Sequence, residues 1–204
     1  MTGLAAAAST GFLTSFALIL AIGAQNALVL KHGILRQHVF WVCFTCAVSD
    51  AVLISAGVAG FGVIATQFPR LPNMMQIAGG IFLIFYGASR FYEAYKGNQL
   101  ELANSAPTRL GPTILITLAL TWLNPHVYLD TLGLLGAIST EFPSQTGKLA
   151  FGTGAVSASF VFFFSLGYGA RFLAPMLRTP RAWKILDILI GALMWYLAYK
   201  LIFD

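Results

Sequence analysis

Residues 5–30 carry no charged side chain, and residues 39–65 carry one, Asp50. Runs this long and this continuously apolar have one good solvent, the hydrocarbon core of a membrane. There a helix of about 20 apolar residues satisfies its own backbone N–H and C=O groups across the bilayer. Four more segments qualify, at about 73–95, 111–138, 149–171 and 183–202. A transmembrane barrel would show apolar and polar residues in alternation, which these segments lack. Composition agrees: AVILMFWYC residues make up 58% of the chain and charged residues 9%. A soluble domain carries about 25% charge, so there is too little here to clothe a water-facing surface. Disordered tails, coiled coils and secreted disulfide scaffolds are excluded on the same grounds. The expectation is an all-α integral membrane protein of about six transmembrane helices.

The breakers between segments are Lys31 to His38, Pro69 with Pro72, Gly97 to Pro112, Pro143, and Pro175 with Pro180. The net charge of +5 raises nucleic acid as a partner, but no basic stripe interleaved with aromatics exists. The opening stretch MTGLAAAAST has no Lys or Arg, so it reads as the start of the first membrane segment rather than a signal peptide.

Basic residues instead mark topology. Lys31, Arg36, Arg90, Lys96, Arg109, Arg171, Arg178, Arg181 and Lys184 fall on one side of a six-span arrangement, and Arg70, Lys148 and Lys200 on the other. The richer side is cytoplasmic, which puts both ends of the sequence outside. Five spans would separate the ends, and segment four is the one most easily miscounted. The basic run Arg171 to Lys184 also suits contact with anionic lipid. Asp187, near Lys184 at the start of segment six, suits the helix dipole.

A weak internal repeat divides a single domain, 1–204, into halves 1–96 and 111–204 joined by a cytoplasmic loop, 97–110. Ala47-Val48-Ser49-Asp50-Ala51 echoes Ala155-Val156-Ser157-Ala158-Ser159, Asn26 echoes Asn124, and Gly79-Gly80 echoes Gly191. Three spans per half is odd, so the halves have opposite orientation. Inverted repeats belong to transporters, which bind solute near the midplane where the halves meet.

Polar residues inside apolar segments are the candidates for chemistry. Asp50 sits mid-segment, and an ionised carboxylate at the centre of a membrane helix costs at least about 2.5–3.5 kcal/mol unless it faces a polar interior. That makes it a candidate proton carrier, set against a purely structural hydrogen bond to a neighbouring helix. Segment four holds the densest polar cluster, Thr121-Trp122-Leu123-Asn124-Pro125-His126-Val127-Tyr128-Leu129-Asp130-Thr131. His126 and Asp130 are four apart and share a helix face. Pro125 has no N–H and frees the carbonyl of Thr121, so the helix is expected to break there, with a second half starting near Asn124. That half-helix N-terminus can receive a carboxylate. In segment one, Gly23-Ala24-Gln25-Asn26 places Gln25 and Asn26 alone in an apolar run, where amides pair across helices or bind a ligand. Cys43 and Cys46 form a CxxC spacing. A membrane thiol–disulfide electron carrier is the rival of a different class, against cysteine as a small apolar helix residue. No metal-ligand cluster, phosphate loop or nucleophile–base arrangement is present in the sequence, so neither an enzyme, a cofactor nor a metal is expected.

Two motifs carry a resemblance. Gly23 to Ala27 followed by Lys31-His32-Gly33-Ile34, and the run Thr121 to Thr131, resemble the LysE/ArgO family of basic amino-acid exporters, as does Ala47-Val48-Ser49-Asp50. The likeness covers essentially the whole chain, and segment four is most similar to the arginine-exporting members. It implies a bacterial inner-membrane carrier that exports L-arginine, L-lysine or toxic analogues such as canavanine, driven by the proton gradient. It points to Asp50 and Asp130 as the important acids and to Asn26, Asn124 and Pro125 as paired helix breaks. Ala24 stands where relatives often have proline. The expected substrate site is Gln25, Asn26, Asp50, Asn124, His126, Tyr128 and Asp130, with Asp50 and Asp130 coupling protons and Gly23 and Pro125 breaking helices. An exporter of neutral amino acids or other small metabolites is the alternative within transport. Abundant glycine allows close packing and a homodimer, without marking an interface.

Overall fold

In a computed structural model of the chain, residues 2–20, 23–60, 71–96, 109–177 and 179–203 are described. Every regular element among them is helical, with no strand. The helices are α1 (Thr2–Ile19), α2 (Ala24–Leu35), α3 (Val39–Val58), α4 (Leu71–Lys96) and α5 (Leu110–Trp122). Then comes a composite α6: an α-turn (Pro125–Tyr128), a π-helical stretch (Leu129–Leu135) and a last α-turn (Gly136–Ser139). α7 (Gln145–Gly169) runs on as a 3-10 segment (Ala170–Leu177), and α8 (Pro180–Phe203) completes the chain's helices.

Val39–Val58, Gln145–Leu173 and Arg181–Lys200 are each long and apolar enough to cross a membrane. The pair Gly3–Ile19 and Ala24–Leu35, whose axes meet at 83°, makes a fourth if it counts as one broken span. Segment three is a single helix of 26 residues. Segment four is divided, and its first part, α5, has 13 residues, about 20 Å of helix, too short to span alone. Arg70, Arg178, Pro69, residues 61–65 and most of the expected loop at 97–110 lie outside the described residues.

Local chemistry sets the ends of these elements. After Pro143, Ser144 adopts an extended conformation and its Oγ accepts the Gly147 N–H at 3.0 Å, an N-cap that starts α7. The polar run Lys31 to His38 folds as a tight reversal between α2 and α3. Arg36 takes the left-handed conformation (φ 55°), its N–H bonds to Gly33 O, and the Gln37 N–H reaches back to His32 O. His32 Nδ1 donates to Gln37 O at 2.9 Å and pins that corner.

α7 is the centre of the bundle, flanked by α1, α2 and α3, while α4 packs along α8. Glycine permits the closest crossing. A Cβ at Gly11 would strike the Phe151 carbonyl, and one at Gly154 would strike that of Ala8, so α1 and α7 meet backbone to backbone. Small-residue crossings of this kind are how helices associate where lipid removes the hydrophobic drive. The outward faces are apolar: Leu13, Phe85, Leu115 and Leu189 are 61–72% exposed, as a lipid solvent demands. Three buried hydroxyls bond within one stretch of chain. On α5, Thr113, Thr117 and Thr121 each donate to the carbonyl four residues earlier, at 3.1, 2.8 and 3.0 Å.

Candidate functional site

Two interrupted helices face one cavity of about 280 Å³. At the first interruption Gly23 is extended (φ −119°, ψ 172°), and α2 starts immediately after it with no side-chain cap. The Asn26 Nδ2 donates back across the gap to Ile19 O at 2.8 Å, taking up a carbonyl at the end of α1. At the second, Asn124 is the N-cap and Pro125 the first helical residue, where its missing N–H costs nothing. Asn124 Oδ1 accepts the His126 N–H at 3.1 Å. The Thr121 carbonyl that Pro125 releases is taken by the Asn124 N–H at 3.4 Å, so the break is self-contained. A second side chain reaches back here too: the Tyr128 hydroxyl donates to Trp122 O at 2.9 Å. Each break is therefore clasped by a polar side chain from its second half-helix to the last residue of its first.

The acids enter from two other directions. Asp50, on α3, is 4% exposed, and its Oδ2 accepts from Ser159 Oγ on α7 at 3.1 Å. Among the described residues, no Lys or Arg forms an ion pair with it. The neighbouring Ser49 Oγ accepts from Trp122 Nε1 at 3.1 Å, which ties α3 to the end of α5. Asp130 lies in the π-helical stretch of α6, where i→i+5 bonding widens the helix; such stretches recur at functional sites. α6 can approach α3 because both are glycine at the contact: a Cβ at Gly57 would strike Thr131 O, and one at Gly136 would meet Gly57 O.

Gln25, Asn26, Asp50, Asn124, His126 and Asp130 all line this cavity. Tyr128 is not among the lining residues; its hydroxyl holds the break instead. Chemically the space offers two carboxyl groups, three side-chain amides, an imidazole, the Lys200 ammonium and the Ser15 and Thr131 hydroxyls among apolar walls. That suits a small solute with both cationic and polar ends. The volume sits at the low end of the roughly 300–1,000 Å³ usual for small-molecule sites.

The sequence profile of the LysE type translocators matches residues 16–204. The chain belongs to that family. It is 42% identical over 193 residues to arginine exporter proteins ArgO of Salmonella paratyphi A, Salmonella enteritidis PT4 and Salmonella typhimurium LT2, covering 94% of this chain and 90% of theirs. No solved structure matches it. Family and helices together make it a multi-pass membrane transporter.

Sequence reasoning missed other parts of this translocator. Ser15 on α1 lines the cavity at 1% exposure, and its Oγ has no hydrogen-bond partner. Gln25 Nε2 is likewise buried and has no strong hydrogen-bond partner among the described residues; the Cys46 thiol beside it is a weak acceptor. Lone serines in apolar helices are common, so sequence holds no signal for Ser15. Lys31, Arg90 and Asp187, treated above as loop charges and a dipole partner, form a buried cluster. Lys31 Nζ lies 2.7 Å and Arg90 Nη1 3.8 Å from Asp187 Oδ1, which is thus paired across α2, α4 and α8 rather than with Lys184. Cys43 and Cys46 are both free and buried, with Cys43 Sγ donating to Phe163 O at 3.2 Å. Reactive thiols are partly exposed, so this is the setting of structural cysteines.

Proposed function

We propose that this chain is a secondary exporter of cationic amino acids, L-arginine and L-lysine with analogues such as canavanine, exchanging them for protons by alternating access in the bacterial inner membrane. The observation that carries the reading is the convergence of Asp50 and Asp130 on one cavity with both helix breaks. The likeness to ArgO proteins supplies the substrate class. Carboxylates bind guanidinium groups by paired charge-assisted hydrogen bonds, and the same group can take up a proton once the cation leaves. Exporting one positive charge against an inside-negative potential costs about 2.3 kcal/mol per 100 mV, and inward movement of one proton cancels that electrical cost. Asp50, which among the described residues is met by the neutral Ser159 hydroxyl and no cation, is assigned the exchange; Asp130 and His126 line the same cavity.

Two inverted three-helix repeats account for the pairing of elements. α3 packs on α7 and α4 on α8, the second-with-fifth and third-with-sixth pairings that such a repeat expects. Asp50 meets Ser159 where the echoed sequence motifs cross. The clasped breaks of the first and fourth spans are counterparts in the same scheme.

Efflux of labelled arginine and lysine from proteoliposomes tests this, with and without a pH gradient acid on the receiving side. Gradient-stimulated efflux that is lost in Asp50→Asn, in protein shown to be folded, is the expected result. Efflux indifferent to pH overturns the proton exchange. Absence of both fluxes overturns the cationic substrate and turns the assay to neutral amino acids.

A further inference from the structure

The two half-helix N-termini at the cavity are counterparts in sequence but not in structure. At α6, the first position is proline, the His126 N–H is taken by Asn124 Oδ1, and the Val127 N–H by Asn124 O at 3.2 Å. That terminus is closed by its own residues. At α2, of 12 residues, the N-cap is Gly23, which has no side chain to offer, and Gly23, Ala24 and Gln25 line the cavity. A helix N-terminus carries partial positive charge and outward-pointing N–H groups, and favours an anion. Two further donors in the cavity wall are unsatisfied among the described residues: the hydroxyl of Ser15, itself 1% exposed, and the Gln25 Nε2, beside which lies the Cys46 thiol, a weak acceptor. Buried polar groups are nearly always satisfied, so two unsatisfied donors lining the same cavity as an uncapped terminus point to a ligand that satisfies them.

We propose that the uncapped start of α2, with the Ser15 hydroxyl and the Gln25 amide, binds the α-carboxylate of the exported amino acid. The inference rests on the export reading and deepens it. The carboxylate docks at α2, and the cationic side chain extends toward Asp50 and Asp130, the acids lining the same cavity. Orientation is then fixed at both ends, and a cation without a carboxylate is a poor substrate.

The test is competition for labelled arginine efflux in proteoliposomes by argininamide, which keeps the guanidinium and replaces the carboxylate with a neutral amide. Wild-type protein is expected to half-saturate with argininamide at a concentration at least about tenfold above arginine, the loss set by charge-assisted hydrogen bonds. In the Ser15→Ala/Gln25→Leu double variant, half-saturation by arginine rises about tenfold while that by argininamide stays put, so the discrimination collapses. Equal competition in the wild type, or a double variant that weakens both alike, overturns the carboxylate site while leaving export intact. Wild-type protein that moves no arginine at all overturns the export reading, a different outcome. The wild-type comparison stands by itself if the double variant does not fold.

Discussion

Asn26 and Asn124 look alike in the sequence, each the amide beside a break, yet their hydrogen bonds run in opposite senses. Asn26 donates through Nδ2 to a carbonyl, whereas Asn124 accepts through Oδ1 from a backbone N–H. The partners leave no choice of amide orientation, because a carbonyl only accepts and an N–H only donates. Aspartate, which accepts but cannot donate when ionised, is therefore a serviceable replacement at 124 and a poor one at 26. Asn124→Asp is expected to stay within about 0.5 kcal/mol of wild-type stability and Asn124→Ala to lose about 1 kcal/mol, the worth of an N-cap. Asn26→Asp sets an acceptor against Ile19 O and is expected to lose at least 1–3 kcal/mol. Thermal unfolding of the three purified variants measures this, and Asn26→Asp matching Asn124→Asp would refute the assignment of roles. The break at Asn124-Pro125 was legible because proline's missing N–H is a local property. That Asn26 faces backward and Tyr128 serves as a clasp was not, since both depend on where the preceding half-helix ends.

At the scale of elements, periodicity and charge located most helices, but two features needed partners distant in the chain. The π-helical stretch of α6 has no sequence mark, for its register follows the glycine contact with α3 at Gly57 and Gly136. The Lys31–Asp187–Arg90 cluster joins residues up to 156 positions apart, beyond any local pattern. On α8, Asp187 in the cluster and Lys200 at the cavity are 13 residues apart, about 20 Å of helix. On α4, Arg90 is 11 residues from Gly79, about 17 Å of helix, and seven from the nearer lining residue Leu83. The cluster thus ties α2, α4 and α8 together outside the cavity lining, and in the proposed export cycle it is a candidate closure. Asp187→Asn leaves two cations facing each other in a buried site and is expected to cost about 3–5 kcal/mol. Replacing the closest pair with apolar residues, Lys31→Leu with Asp187→Leu, removes the repulsion between the two cations but leaves Arg90 without its carboxylate, and is expected to restore part of the stability. Export by the double variant should nevertheless stay well below wild type, because the closure it loses is polar and reversible. Wild-type efflux from a stable double variant would reduce the cluster to a structural one.

For the whole molecule, the two ends of the bundle differ in charge. Lys31 and Arg90 belong to the cluster, and by sequence order Arg36, Lys96, Arg109, Arg171, Arg181 and Lys184 fall in connections on its side of the spans, while the cavity lining reaches Leu197 and Lys200 further along α8. If basic residues stay cytoplasmic, the cluster lies on the cytoplasmic side and Lys200 on the outer side. The consequence is measurable with a membrane-impermeant maleimide on cells with a permeable outer membrane. The background carries Cys43→Ser, which keeps a hydroxyl to donate to Phe163 O, and Cys46→Ala. Both Arg36 and Lys200 are exposed, so a cysteine at either can be reached by water-borne reagent from its own side. Lys200→Cys is expected to label in intact cells and Arg36→Cys only after lysis, with arginine protecting cysteines placed nearer the cavity. Labelling in the reverse order inverts the molecule. Export by the cysteine-free background carries its own weight: a carrier that works without either thiol moves no electrons through them.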